Sequence, residues 1–328
     1  KKIQRSTEQR NKKPLWPVHA MMLLTAGLVS TSFTVGKAIA DGMDPAILTL
    51  IRFLIAALLF LPYIQWKYGL RLPEKKRLFG YACISFTLTG FFWLMFLSLQ
   101  STTALNTGVI FTLVPSISGL YSALLLKEKL GKFRILAMIP ATVGAVWVLF
   151  HGSLEQLLAF NLNSGDLIFF CSCLLMAFYS PLVKLFHQEE PMSVMTFWIL
   201  VTGSAWLLLF SGYQLPAVPW ASVPLKIWTG IIYLSVFSTI ITFFLSQLCT
   251  LTLGPTRVMA YSYLYPPFIL FFEWCVGHPL PSLAVLPGVG LIVAAMFIVQ
   301  QGANDLVARR ISLQSVQKNQ KEQSGKGG

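Results

Sequence analysis

The sequence predicts an all-α integral membrane protein with ten transmembrane helices, built as two five-helix repeats that are inverted relative to one another. Composition, the spacing of apolar segments and a weak repetition between the two halves lead to this prediction. Charged residues make up 11% of the 328 residues and hydrophobic residues 55%, whereas soluble domains carry roughly 25% charged residues. This composition is too apolar for a water-soluble protein.

Apolar segments about 20 residues long, the length that crosses the hydrocarbon layer as a helix, follow one another along the whole chain. Because backbone groups in lipid must pair within their own segment, each is predicted to be a helix. The ten segments are residues 17–40, 46–66, 78–99, 104–126, 133–150, 166–186, 194–213, 225–249, 255–276 and 284–302.

The formal charge of +13 does not indicate a nucleic-acid partner, because the basic residues are concentrated in the tails and short loops. If the amino terminus is cytoplasmic, 22 of the 25 Lys and Arg residues lie on the cytoplasmic side. The positive-inside rule then predicts that both termini are cytoplasmic, in an integral protein of the bacterial cytoplasmic (inner) membrane. Anionic lipid is the expected partner of the basic loops.

Short stretches of sequence recur between the two halves. The first segment reads STSFTVGK and ends at Lys37, and the sixth reads AFYSPLVK and ends at Lys184. Further matches pair Asp44-Pro45 with Glu190-Pro191, FLSLQ from Phe96 with FLSQL from Phe244, and Pro115 with Pro266.

These matches divide the chain into two repeats, residues 14–152 and 160–303, between tails at 1–13 and 304–328. Each repeat contains five segments, and because five is odd the second repeat must run in the opposite sense. Inverted repeats enclose a cavity at their interface that opens to either side, which is the geometry of alternating access.

Three stretches resemble the EamA-type family of the drug/metabolite transporter superfamily: RFLIAALLFLP from Arg52, LVPSISGLYSALLLKEKL from Leu113, and the PATVGAVWVL that follows. The family pattern is matched by Pro115, Glu128, Leu130 and Gly144. In the second half, Pro266 and Gly288 remain, but GHPLP from Gly277 lacks the acidic residue of the repeat.

The resemblance implies a central substrate cavity and the efflux or exchange of small metabolites such as amino acids. We therefore predict a secondary transporter that exports amino acids or related compounds. The alternatives are a carrier for a nucleotide-type or S-adenosylmethionine-like metabolite, and a scaffold or receptor without transport activity. Proton coupling, uniport and exchange all remain open.

Charged residues within a span are costly and call for an explanation. Arg52 is either a ligand for a substrate carboxylate or phosphate, or a structural residue satisfied by helix carbonyls. Lys37 and Lys184 are either symmetric gate lysines or side chains that snorkel to the membrane surface. Glu273 is a proton-coupling candidate if it is buried, and Asp166 is expected to cap the sixth helix.

The resemblance places the cavity lining on spans one, three, four, six, eight and nine. Polar and aromatic side chains near mid-depth on these spans are the candidate substrate contacts: Thr31, Thr34, Trp93, Thr112, Ser116, Tyr179, Ser238, Thr242, Tyr261 and Tyr265. In a regular α-helix Tyr261 and Tyr265 share one face and Tyr263 points away. Pro115 and Pro266 are candidate gate elements because proline kinks a helix.

Other functional classes lack their sequence signals. His19, His151, His187 and His278 form no HExxH motif, and no span holds two acidic residues, which argues against an intramembrane enzyme. Neither a phosphate-binding glycine loop nor a repeated pore filter is found. We predict no enzyme activity, no cofactor and no metal site, and a small-molecule substrate.

Overall fold

The computed structural model describes residues 15–127, 132–159 and 163–301. Glu128 and Leu130 of the family pattern lie outside the described residues, as do both predicted tails. The described residues are almost entirely helical, with no strand among them. Eight of the described helices are long and apolar enough to cross a membrane, and Ile135–Leu149 is a shorter apolar helix. With the segmented ninth helix, this agrees with the ten predicted spans.

The ten spans are labelled α1 to α10 in chain order. Their bounds are α1 Trp16–Ile39, α2 Pro45–Tyr68, α3 Lys75–Leu99, α4 Ala104–Leu126, α5 Lys132–Leu149, α6 Ser164–Phe186, α7 Met192–Ser211, α8 Leu225–Thr250, α9 in two parts given below, and α10 Leu283–Gln301. A short helix, Leu154–Ala159, lies between α5 and α6.

Polar side chains fix where several helices begin. The Asp44 carboxylate accepts hydrogen bonds from the amides of Ala46 and Ile47, at 2.8 and 3.2 Å, and so caps α2. In α6 the cap is Asn163, whose side-chain oxygen accepts from the Gly165 amide at 2.9 Å. The expectation that Asp166 caps α6 is therefore wrong, because its carboxylate bonds to other elements.

Both α4 and α9 are interrupted near mid-depth. The fourth span consists of α4a, Ala104–Phe111, and α4b, Val114–Leu126. The ninth consists of α9a, Pro255–Ala260, a 3₁₀ turn over Tyr261–Leu264, and α9b, Tyr265–Cys275. Pro115 and Pro266 each lie in the first turn of the second segment. Backbone N–H groups in a first turn have no intrahelical acceptor, so a proline there costs no helix hydrogen bond. The predicted kinks thus occur at equivalent places in the two halves.

The eighth span changes its winding near its centre. A π-helical turn occupies Val236–Ile241, between α-helical segments. Its repeat equivalent, α3, is continuous from Lys75 to Leu99. Turns of this kind occur often at functional sites, because the extra residue re-aims neighbouring side chains.

The helices pack in pairs that correspond when the two halves are exchanged. The contact of α3 with α6 is matched by that of α8 with α1, and the contact of α4b with α6 by that of α9b with α1. Likewise α7 packs on α3 as α8 packs on α2. This correspondence is the packing expected of two inverted repeats.

Helices α5 and α10 meet through a pair of glycines. A Cβ atom added to Gly144 would lie 2.5 Å from the Gly288 carbonyl oxygen, and one added to Gly288 would lie 2.8 Å from the Gly144 carbonyl oxygen. Only residues without a side chain permit this backbone approach. The two family-pattern glycines are therefore packing residues.

The apolar core is continuous at the predicted outer end of the bundle. One buried cluster joins the outer parts of α1, α2 and α3 to α4, α6, α8 and α9b, from Met43 and Leu99 down to Ile269. Toward the predicted inner end, α1, α8 and the start of α9 form a separate cluster around Met22 and Tyr261. A further cluster around Phe53, Tyr81 and Met195 joins α2, α3 and α7, so one cluster joins these helices at the outer end and two separate clusters do so toward the inner end.

Candidate substrate site

Five aromatic side chains meet where the interrupted helices cross α1, α3 and α6. Phe111 at the end of α4a lies 5.4 Å from Tyr265 at the start of α9b, between ring centroids. The central aromatic cluster, as we name it, consists of Phe33, Phe91, Phe111, Phe169 and Tyr265, with other centroid distances of 5.7–6.1 Å. Phe33, Phe91 and Phe169 are buried in the core and Phe111 and Tyr265 are partly buried, so the cluster is an aromatic contact between the halves.

Arg52 lies beside this cluster in the protein interior. Its side chain is 1% exposed, and its Nε and Nη2 atoms donate to Thr239 Oγ1 at 3.2 and 3.0 Å. The Phe92 ring covers one face of the guanidinium, with Cζ 4.2 Å from the ring centroid. The Ser235 hydroxyl donates to the Arg52 carbonyl at 3.1 Å. Arg52 therefore connects α2 to α3 and to the π turn of α8.

Hydroxyl groups join α1 to α8 on the other side of the π turn. Thr31 Oγ1 lies 2.7 Å from the Tyr233 hydroxyl, and the Ser238 hydroxyl donates to the Leu28 carbonyl at 3.1 Å. The Thr242 hydroxyl bonds within its own helix, to the Ser238 carbonyl at 3.0 Å. Thr31 and Ser238 thus lie together, both donating to the Leu28 carbonyl, while Thr242 bonds within its own helix.

Two predicted hydroxyls, Thr34 Oγ1 and Ser116 Oγ, are buried and have no hydrogen-bond partner. Buried polar atoms are nearly always paired, so such groups mark a place for water or a ligand. The hydroxyl of Thr112, by contrast, donates to the Val109 carbonyl at 2.6 Å. Thr34 and Ser116 remain candidate ligand contacts, whereas Thr112 stabilises the end of α4a.

The tyrosines of the ninth span point in two directions. Tyr261 hydrogen-bonds to His19 of α1 at the predicted inner end, and Tyr265 lies in the central aromatic cluster. Tyr263 is buried against α5 and α10. Tyr261 and Tyr265 thus both face α1 and pack against the cluster around Met22, while Tyr263 points away, as the spacing predicts, although a 3₁₀ turn covers Tyr261–Leu264.

Trp93 and Glu273 lie away from this interior. Trp93 is 42% exposed on a stripe of α3 that also carries Phe79 and Phe86 at seven-residue intervals, so it faces outward from the bundle. Glu273 is 24% exposed, with an oxygen 3.7 Å from His278 Nδ1. Glu273 is therefore partly buried near the predicted outer end of α9b. Tyr179 is half-buried against the core of α2, α3 and α7.

Polar contacts hold α1 to α3 at the predicted outer end. The Lys37 ammonium donates to the Leu99 carbonyl at 2.6 Å and lies 3.4 Å from the Gln100 carbonyl oxygen. The Gln100 amide in turn donates to the Ala40 carbonyl at 3.1 Å. We name these four residues the outer clamp. Lys37 thus binds the carboxyl end of a neighbouring helix, where a cation is favoured.

Asp166 bonds the other side of the α3–α4 loop. Its buried carboxylate accepts from the Thr102 hydroxyl and from the Asn106 amide, the latter at 3.1 and 3.2 Å. The Asn163 amide also donates to the Ser101 carbonyl, at 2.5 Å. The loop is therefore held by α1 on one side and α6 on the other. Lys184, the repeat counterpart of Lys37, is exposed at the opposite end of α6.

Several residues at the site carried no clear sequence signal. Thr239 lies in the π turn, where it accepts from Arg52. Phe92 covers the guanidinium, but in the sequence it is one of many apolar residues in its segment. Glu190 was recognised as a helix start, but its buried carboxylate accepts from the Tyr81 hydroxyl at 3.2 Å and from the Gln188 amide at 2.9 Å. Gln100 could have been singled out from the sequence, because FLSLQ and its counterpart FLSQL each contain a glutamine.

Comparison with known proteins identifies the family. The sequence profile described as the EamA-like transporter family matches residues 16–150 and again residues 163–300. The chain belongs to the EamA-like transporter family. This confirms the resemblance, including its two copies along the chain, and the protein is a membrane transporter of small molecules.

Relatives of this EamA-like transporter are distant in sequence and similar in length. It is 22% identical over 282 residues to the uncharacterized transporter YyaM of Bacillus subtilis (strain 168), covering 85% of this chain and 92% of that protein. It is 23% identical over 283 residues to an uncharacterized transporter of Archaeoglobus fulgidus, covering 85% and 96%. It is also 26% identical over 205 residues to a riboflavin transporter of Vibrio cholerae serotype O1, covering 60% of this chain and 66% of that one.

A solved crystal structure shares the fold of this EamA-like transporter. The TM-score is 0.62 at 19% identity, with 87% of this chain and 97% of the other covered. At that identity the likeness supports the fold alone.

Proposed function

We propose that this EamA-like transporter is a secondary transporter that exports amino acids or related small metabolites by alternating access. The observation that carries the proposal is the one-sided closure of the interface. The outer clamp joins α1 to α3 through Lys37 and Leu99 at 2.6 Å. The buried cluster that joins α1, α2 and α3 to α4, α6, α8 and α9b lies at the same end.

A transporter with inverted repeats changes state by exchanging the conformations of its two halves. The repeats would be residues 14–152 and 160–303, with both termini in the cytoplasm. With that orientation, the closed end faces outward and the described conformation faces inward. This is the state in which an exporter takes up its cargo.

The interior suits a small compound with both apolar and polar parts. The central aromatic cluster offers apolar contact, and Thr34 and Ser116 offer buried hydroxyls without partners. Amino acids combine an apolar side chain with a compact polar end, which matches both features.

A flat aromatic heterocycle is the second candidate. The specific observation that favours it is the set of aromatic rings around Tyr265, since a heterocycle can stack on them. One relative is named a riboflavin transporter, so riboflavin is the obvious compound of this class to test.

Buried carboxylates are the groups suited to proton coupling. Asp166 and Glu190 are the buried acids in the described part of the chain, and they are candidates beside the partly buried Glu273. Asp166 adjoins the held outer loop, where a change in its charge would alter the contacts with Thr102 and Asn106. Exchange without protons is the competing mode.

Counterflow into proteoliposomes tests the proposal directly. The full chain is reconstituted and preloaded with unlabelled amino acids, nucleosides, riboflavin or S-adenosylmethionine, and uptake of the matching labelled compound is followed with and without a pH gradient. We expect saturable counterflow for amino acids, because a carrier exchanges labelled for unlabelled substrate. Counterflow of riboflavin alone would favour the second candidate. Folded protein with no counterflow for any compound would contradict transport of these classes.

A further inference from the structure

We propose that Arg52 binds the carboxylate of the transported compound, and that Thr239 and Phe92 orient its guanidinium for this purpose. This inference deepens the proposed function and rests on it. It assigns a substrate class: compounds with a carboxylate next to an apolar or aromatic side chain.

The guanidinium is buried without an anionic partner. Its Nη1 atom is buried and has no hydrogen bond, and no carboxylate among residues 15–127, 132–159 and 163–301 lies within ion-pair distance of it. The buried acids Asp166 and Glu190 have other partners, on the α3–α4 loop and at the start of α7. An unpaired buried charge is unfavourable, so an anion entering this site would gain a strong interaction.

The unused edge of Arg52 is suited to a carboxylate. Thr239 Oγ1 accepts hydrogen bonds from Nε and Nη2, and the Phe92 ring covers one face of the guanidinium plane. The edge carrying Nη1 is left, and a guanidinium edge with two donors matches the two oxygens of a carboxylate. A phosphate has the same acceptor chemistry, but the apolar surroundings favour the smaller, singly charged group.

The position of Arg52 determines which side chains would contact the rest of the substrate. Phe92 lies 4.9 Å from Phe91, between ring centroids, and Phe91 belongs to the central aromatic cluster. A single ring thus separates the guanidinium from the aromatic cluster. A carboxylate held at Arg52 would place an attached side chain beside Phe91 and Phe111.

Holding the π turn of α8 is the competing role of Arg52, because Ser235 and Thr239 of α8 both bond to it. A purely structural arginine would affect stability without affecting the choice between substrates. The two roles are therefore separated by substrate selectivity rather than by loss of activity.

The first experiment uses wild-type protein in proteoliposomes. Counterflow of labelled L-phenylalanine and L-leucine is competed with the free amino acid, its amide, and the acid that lacks the amino group. Loss of one charge-assisted hydrogen-bond pair corresponds to roughly a 10- to 100-fold weaker competition. We expect the amide to be weaker by that factor, and the acid to compete better than the amide. An amide that competes as well as the amino acid would overturn the inference.

Variants then assign the preference to the side chain. In Arg52→Gln the preference for acid over amide should disappear, and in Arg52→Lys part of it should remain. The matched control is Ser235→Ala, which removes the bond to the Arg52 carbonyl and leaves the guanidinium in place, so its preference should equal that of wild type. If Arg52→Gln does not fold, Thr239→Val and Arg52→Lys serve instead, with a reduced preference expected in both.

Each outcome bears on the inference and on the proposed function separately. Counterflow only of compounds without an anionic group would leave transport standing and overturn the role of Arg52. A retained preference in folded Arg52→Gln would do the same. Absence of counterflow for every compound would overturn both.

Discussion

Arg52 Nη2 of α2 lies 3.0 Å from Thr239 Oγ1 in the π turn of α8, so a side chain of the first half is bonded to the second half near mid-depth. Both residues occur where the two repeats differ. By the offset of 146 that aligns Asp44-Pro45 with Glu190-Pro191, the counterpart of Arg52 is Trp198, and the counterpart of α8 is the regular helix α3. The pair therefore breaks the symmetry of the bundle beside the candidate substrate site.

Replacing Thr239 by Val tests how much this contact stabilises the fold. The variant loses the acceptor for Arg52 and the bond to the Leu234 carbonyl at 2.9 Å. Hydrogen bonds to a charged group contribute about 1.5–3 kcal/mol, so we expect a lower melting temperature in detergent. Thr229→Val is the matched control, because the Thr229 hydroxyl is exposed and bonds only within α8. Equal shifts in the two variants would argue against a structural contribution from this pair.

The outer clamp is expected to hold the outer end closed. In Lys37→Met the contact with the Leu99 carbonyl is lost, which should increase labelling of a cysteine placed at Thr34, in a background without native cysteines, by an impermeant reagent added from outside. Lys226→Met provides the control, because Lys226 is the other lysine near the predicted outer surface and lies apart from the clamp. Unchanged labelling in Lys37→Met would show that apolar packing alone closes this end.

Gln247 is expected to form the corresponding clamp when the inner end closes. It lies in FLSQL, the counterpart of the FLSLQ that ends in Gln100, and its Nε2 atom is buried without a partner. Gln100→Leu should lower the melting temperature of the described conformation, since the bond to Ala40 is lost. Gln247→Leu loses only the long contact in which the Ser193 hydroxyl donates to Gln247 Oε1 at 3.4 Å, so it should lower that temperature less than Gln100→Leu and should slow counterflow. A large loss of stability in Gln247→Leu would instead indicate that Gln247 stabilises the described conformation.

The glycine contact between α5 and α10 gives a sharp packing test. Gly288→Ala adds a Cβ atom 2.8 Å from the Gly144 carbonyl oxygen, and overpacking of this kind costs about 1–3 kcal/mol. The control is Gly290→Ala on the same helix, where a Cβ atom meets nothing within 4 Å. We expect a lower melting temperature for Gly288→Ala only. Comparable stability of both variants would mean that α10 moves aside at little cost.

Two aromatic residues distinguish the interior from the outward face. Tyr265→Ala removes a ring from the central aromatic cluster and should weaken competition by L-phenylalanine in counterflow by roughly tenfold, the scale of a lost aromatic contact with its burial. Trp93→Ala should leave competition unchanged, because Trp93 lies on the exposed stripe of α3. A stronger effect from Trp93→Ala than from Tyr265→Ala would place the substrate on a different face.

Much of the helix order was predictable because it depends on local properties. Segment boundaries agree within a few residues, since span length and apolar composition are set by the bilayer. Pro115 and Pro266 marked the interruptions of α4 and α9, because proline cannot continue a helix across its own position. Arg52 stood out for the same kind of reason, as a charge within an apolar segment.

The errors occurred where local geometry departed from the regular helix. The π turn over Val236–Ile241 brought Thr239 to Arg52, a contact that regular helical spacing does not predict. The outward position of Trp93 follows from how α3 is rotated against α6 and α7, and the sequence of one helix does not determine that rotation.

The sequence by itself determined that the chain is a helical membrane protein of repeated construction, because hydrophobic length, basic loops and proline positions act segment by segment, and its resemblance to the EamA-type family indicated transport. Only the tertiary structure decided which side chains meet, since contacts such as Arg52 with Thr239, or Lys37 with Leu99, join residues far apart in the chain. Their partners depend on how each helix is rotated and wound against its neighbours. Those rotations are set by packing, as in the approach of Gly144 to Gly288, which is a property of the whole bundle.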